Sequence, residues 1–118
     1  MARIKGGPRT KTRRKRILKR AKGFFGARHK LYAVARETVD RALVYAFSGR
    51  KQKKRNYRSL WITRINAAVR PHGMSYSTMM GGLTKAGVEL DRRVLADLAL
   101  NDPRGFEAVA QIAREAAG

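Results

Sequence analysis

Charge constrains this chain more than any other feature, because it is gathered at one end. Residues 1–58 carry 21 Lys and Arg against two acids, Glu37 and Asp40, for a net +19. Residues 59–118 carry seven Lys and Arg against six acids, for a net +1. No acid precedes Glu37, so the first 36 residues have no counter-charge of their own. A segment this cationic, with little apolar surface, gains too little from burial to offset ordering entropy and self-repulsion. It is expected to order against a polyanion rather than alone. The chain therefore reads as a basic extension over residues 1–58 and a near-neutral body over 59–118.

The body reads as four short helices. Leu60, Trp61, Ile65, Ala68 and Val69 recur at helical spacing up to Pro71, and Gly73 marks a turn. Ser75 or Ser77 can cap a second helix bearing Met79, Met80, Leu83 and Ala86, closed by Gly87 in the left-handed region. Asp91 caps a third with Val94, Leu95, Leu98 and Ala99. Asp102-Pro103, an acid at the cap followed by proline at the first helical position, starts a fourth with Phe106, Val109, Ala110, Ile112 and Ala113. Trp61 reads as a core anchor. Gly81-Gly82 sits inside a helix, where glycine is costly; it implies either close helix packing or close approach of an RNA backbone. The fourth helix is Ala-rich, which leaves its packing the least defined.

In the extension, Thr10–Lys22 has basic residues on every face, and Ile17, Leu18 and Ala21 are too few to bury anything. This predicts a short helix over about 10–22 and a bend at 23–26, where Gly23-Phe24-Phe25-Gly26 interrupts the charge. A long helix then follows from about residue 27, with Leu31, Val34, Ala35, Val39, Ala42, Leu43, Ala46 and Phe47 tracing an apolar stripe. Tyr45 is expected to pack locally, and Ser48-Gly49 is a possible kink. No proline lies between Pro8 and Pro71, so one helix of roughly 65 Å over about 27–70 is permitted.

The chemistry follows from the charge. Lys and Arg release counterions from phosphates and give salt-dependent affinity. Arg outnumbers Lys 18 to 10, and guanidinium groups also stack on bases. Aromatics lie among the charges, and exposed rings can stack on splayed-out bases. Phe24 and Phe25 cannot both be buried in a core the extension lacks, so at least one is expected to meet RNA or a partner protein. The candidate RNA-binding residues begin with Arg3, Lys5, Arg9, Lys11, Arg13, Arg14, Lys15, Arg16, Lys19, Arg20 and Lys22. They continue through Phe24, Phe25, Arg28, His29, Lys30 and Arg36. A second basic cluster adds Arg50, Lys51, Lys53, Lys54, Arg55, Tyr57 and Arg58, and the body adds Arg64, Asn66 and Arg70. Arg92 and Arg93 read first as solvent-exposed charges beside Asp91.

Other classes fare worse. The absence of cysteine excludes a disulfide scaffold, a zinc finger and a thiol nucleophile. No apolar run approaches the ~20 residues of a membrane span, and residues 10–22 lack the apolar face of a membrane-surface helix. The opening has no secretory apolar region, and residues 1–40 lack the serine of a transit peptide, so a cytoplasmic location is expected. His29 and His72 have no third group placed by sequence, and no catalytic or metal-binding motif occurs, so neither an enzyme nor a small-molecule substrate or cofactor is expected. A DNA-compacting architectural protein explains the charge equally, but such tails are repetitive in Lys, Ala and Pro, and the extension has no repeat and a single proline, Pro8.

The stretch KRNYRSLWITRINAAVR at residues 54–70 resembles the signature of the bacterial large-subunit ribosomal protein L20 family. MARIKGG at the start, GFFGARHKLYAVARE at 23–37 and HGMSYSTMMGGLTKAGVELDRRVLADLA at 72–99 resemble it too. The resemblance implies an all-α protein with a long basic N-terminal helical extension that threads into 23S ribosomal RNA, plus a small C-terminal four-helix globular domain. It implies a structural role in early assembly of the large subunit, with neighbouring large-subunit ribosomal proteins as partners. Some members also repress translation of their own mRNA, so that message is a further partner to test. Arg58, Arg64, Asn66 and Arg70 match the signature's polar positions; Leu60, Trp61, Ile62 and Ile65 match its apolar ones.

Overall fold

The computed structural model describes residues 2, 3 and 5–118; Met1 and Ile4 of the opening motif lie outside the described residues. Every regular element described is helical: α1 Arg9–Arg20, α2 Tyr32–Val69, α3 Tyr76–Lys85, α4 Arg92–Asn101 and α5 Pro103–Ala117, with 3-10 turns at Gly26–His29 and Arg70–His72. The chain forms two compact units, Met1–Lys51 and Gln52–Gly118. The charge step after Arg58 falls inside the second unit, so charge and compactness change at different places.

The second unit has a core of ten buried residues, centred on Ile65, Val69, Met79, Leu83, Leu95 and Phe106. Trp61 is half-buried on its edge. Local chemistry sets the helix ends. The Ser75 side chain accepts from the Thr78 amide at 3.3 Å, and Asp91 Oδ1 accepts from the Val94 amide at 2.8 Å. Gly87 closes α3 with φ 72°, where a side chain would be strained. Asp102 ends α4 through its amide to the Leu98 carbonyl (2.9 Å) and caps α5 by accepting from the Gly105 amide (3.1 Å). One residue thus makes the joint, and Pro103 fills the first helical position, where no amide is needed. A Cβ on Gly82 would strike the backbone carbonyl of Ala113, while one on Gly81 would meet nothing. The glycine pair is therefore explained at Gly82 by the close approach of α3 and α5. The same approach explains the alanines: Ala110 and Ala113 of α5 are buried, and a larger residue there would hold the helices apart.

The first unit corrects three expectations. Ile17, Leu18 and Ala21 do bury surface: Ala21, Ala35 and Val39 form a small core, with Ile17, Leu18 and Phe24 packed against it. The alanines leave room for the longer chains to lie between α1 and α2, and the Arg14 guanidinium covers the Tyr32 ring at 5.2 Å. The extension is thus not without internal order. Secondly, the long helix starts at Tyr32, not near 27. Gly26 is left-handed at φ 63°, which a continuing helix cannot accept, and a 3-10 turn at Gly26–His29 intervenes. Thirdly, Tyr45 is 74% exposed instead of packed. The α2 helix runs unbroken through Ser48-Gly49, and every residue from Leu43 to Leu60 is exposed.

Candidate nucleic-acid interface

Every Lys and Arg of residues 1–58 is exposed. Burying an unpaired cation is costly, and this segment supplies only two acids, so the cations remain at the surface. Arg3 and Lys5 precede α1. Arg9, Lys11, Arg13, Arg14, Lys15, Arg16, Lys19 and Arg20 decorate α1; Lys19 and Arg20 lie in its last turn, where cations are favoured by the helix dipole. Lys22, Arg28 and Lys30 lie in the turn, and Arg36, Arg50, Lys51, Lys53, Lys54, Arg55 and Arg58 on α2.

The Gly23–Lys30 turn sorts its two phenylalanines into opposite roles. Phe24 packs on the small core, and Phe25 is 92% exposed. His29 Nδ1 lies 2.8 Å from the Phe24 carbonyl. A carbonyl only accepts, so Nδ1 carries the proton and the ring ties the turn closed. His29 is thereby first a structural residue, with Nε2 left over. Beside this turn lies a concavity of about 620 Å³, lined by Phe25, Arg28, Glu37, Arg41 and Tyr45 among others. Sequence reading missed Arg41 and Tyr45 here. Tyr45 was expected to pack locally and Arg41 was given no role, and only the turn's placement gives them a shared groove.

On the exposed part of α2, two lysines of the basic cluster lie over aromatic rings. Lys51 lies over the Phe47 ring at 4.8 Å and Lys53 over the Tyr57 ring at 5.8 Å. Tyr57 stacks on Trp61 with ring centroids 6.0 Å apart, so it is less free than a lone surface ring.

In the second unit Arg64 is exposed and lines a cleft with Trp61, Asp91, Arg93 and Asp97. Asn66 behaves differently. Its Oδ1 accepts from Arg70 Nε and from the Tyr76 amide, each at 3.3 Å. Half-buried, it orients the exposed Arg70 and fixes the start of α3. Tyr76 in turn accepts from Arg92 Nε at 2.6 Å through its hydroxyl oxygen, so Arg92 is held by a partner while Arg93 is exposed. Arg70 and Arg92 are thus directed by side-chain hydrogen bonds, whereas the α1 cation with a side-chain contact, Arg14, lies over a ring.

Among the described residues no group of His, Asp and Glu is arranged to hold a metal ion, and no helix is long and apolar enough to cross a membrane.

Residues 3–109 match the family model described as Ribosomal protein L20. The chain is 60% identical to the large ribosomal subunit protein bL20 of Desulfosudis oleivorans over 113 residues, covering 96% of this chain and 97% of that protein. It is 59% identical to the bL20 protein of Pelobacter propionicus and 58% identical to that of Geobacter metallireducens, each over 114 residues and 97% of both chains.

Proposed function

The chain belongs to the ribosomal protein L20 family, whose members are structural proteins of the large ribosomal subunit and not enzymes, and from that premise we propose that it binds 23S rRNA directly and supports early assembly of the subunit. One observation carries this reading: 21 cations in residues 1–58, all exposed and faced by two acids. Such a surface is compatible with close approach of several phosphate strands, whose mutual repulsion it would offset. Residues 1–58 act as the RNA-threading extension, and neighbouring large-subunit proteins meet its exposed apolar residues. Residues 59–118 act as a helical domain that adds a shape-dependent contact through Arg64 and Arg70. The same domain would be the one to recognise the protein's own mRNA, a role that rests on the resemblance to the family alone.

Binding of the full chain to large-subunit rRNA fragments, measured across a salt series with duplex DNA as competitor, tests the proposal. One fragment is expected to hold the protein against excess DNA, with affinity falling steeply as salt rises. Equal competition by DNA would instead identify a general architectural binder of nucleic acid.

A further inference from the structure

We infer that the groove between the Gly23–Arg28 turn and the N-terminal part of α2 is a pocket for a single unstacked nucleobase, and that Glu37 makes it selective for guanine; this rests on the RNA-binding reading above. Two aromatic residues, Phe25 and Tyr45, two arginines, Arg28 and Arg41, and one acid, Glu37, are among the residues that line the groove.

The rings are the first argument. Phe25 is 92% exposed and Tyr45 74% exposed. Phe25 is not exposed through a loose backbone. Its neighbour Phe24 is anchored in the small core, the His29 ring is bonded to the Phe24 carbonyl, and Gly26 holds the left-handed turn that follows. A rigid turn that presents a large apolar ring to water leaves that ring unpartnered within its unit. Base faces stack on such rings whatever their identity, and Arg28 and Arg41 are suited to the flanking phosphates.

Glu37 is the second argument, and it supplies the selectivity. In a segment of net +19 bound to phosphates, a carboxylate lining the binding groove is repelled by the backbone of the ligand. Its favourable partners on RNA are N–H donors, because an ionised carboxylate only accepts. Guanine offers N1–H and the N2 amino group side by side, one donor for each carboxylate oxygen. Adenine and cytosine place a ring-nitrogen acceptor beside their amino group, and uracil sets its single N3–H between two carbonyls. The groove therefore rewards guanine and disfavours the other three. The competing role for Glu37 is a surface pair with Arg41 one helical turn on, which confers no base preference.

Fluorescence anisotropy of the full chain with labelled short oligouridines carrying one central guanosine, adenosine, cytidine or inosine decides between them. Excess unlabelled all-uridine oligomer occupies the purely electrostatic sites. The guanosine oligomer is expected to bind about tenfold more tightly than the adenosine and cytidine ones, the scale of one bidentate base contact. Inosine, which lacks the N2 amino group, should fall between. Glu37→Gln should abolish the preference without weakening binding of the all-uridine oligomer, and Phe25→Ala should weaken the guanosine oligomer several-fold, both with unchanged helix content by circular dichroism. Equal binding of all bases by the native chain, or a guanine preference that survives Glu37→Gln, overturns the pocket. Those results leave rRNA binding with its salt dependence intact, whereas loss of specific rRNA binding defeats the proposed function itself.

Discussion

Both units use alanines to bring helices close, and what differs is how much lies between them. In the first unit Ala21, Ala35 and Val39 enclose little beyond Ile17, Leu18 and Phe24. In the second, Ala96, Ala110 and Ala113 share a core with Ile65, Met79, Leu83, Leu95 and Phe106. Burial stabilises roughly in proportion to apolar area, so the second unit has the larger reserve. The first unit sets a few contacts against the repulsion of 17 cations among residues 1–51. The comparison teaches that high charge does not forbid local order but limits its depth. A shallow core can set the direction of a turn and its aromatic ring while leaving overall stability to a polyanionic partner.

The largest expected effect comes from attacking the charge. Reversing Arg13, Arg14 and Lys15 to Glu in the full chain should weaken binding to all RNAs alike, on the order of a hundredfold at moderate salt, and reduce the salt slope by about two or more. Titrations at several salt concentrations read both quantities. These residues are exposed on α1, so selective loss of one structured RNA would contradict the role given to the extension. Equal binding after reversal would remove it.

The second unit should break through packing instead. Gly82→Ala drives a methyl group into the Ala113 carbonyl and should cost about 1–3 kcal/mol as α3 and α5 separate. Gly81→Ala, one residue away in open space, should stabilise the helix by about 0.5–1 kcal/mol. Urea unfolding followed by circular dichroism compares the two. The opposite signs are the point: two glycines alike in sequence differ because one faces a backbone. Stabilisation of similar size by both would mean that helix propensity, and not the α3–α5 approach, governs the pair.

That pair also marks how far the sequence could be read. Features fixed by neighbours in the chain were legible: Ser75, Asp91 and Asp102-Pro103 announce helix starts because a side-chain oxygen two or three residues before an unpaired amide is a local matter. Gly87 announces a stop for the same reason. The charge step and the exposure of the cations were equally readable. Contacts between elements were not. Which glycine meets Ala113 depends on the register of α3 against α5, and the small core of the first unit joins residues on either side of a non-helical turn. Tyr45 was expected to pack locally, and the fold leaves it exposed. Asn66 matched a family polar position, yet its two hydrogen bonds, one to a residue ten positions on, show it holding other groups in place. His29 likewise looked like one more polar or partly cationic contact and closes a turn.

The smallest effect expected here is the most diagnostic of the difference between the units. Asn66→Ala removes the acceptor that Arg70 Nε and the Tyr76 amide share, while leaving the net charge unchanged. A typical hydrogen bond contributes about 0.5–1.5 kcal/mol net, so binding to a structured rRNA fragment should weaken about threefold, the low end of that range. Binding to a generic RNA duplex should not change, because the number of cations is the same. Tyr76→Phe, which releases Arg92 Nε, should act in the same selective direction. The extension would then be sensitive to the count of its charges, and the body to their direction. If Asn66→Ala weakens the duplex and the structured fragment equally, the body also binds by charge alone, and the contrast between the two units reduces to the size of their cores.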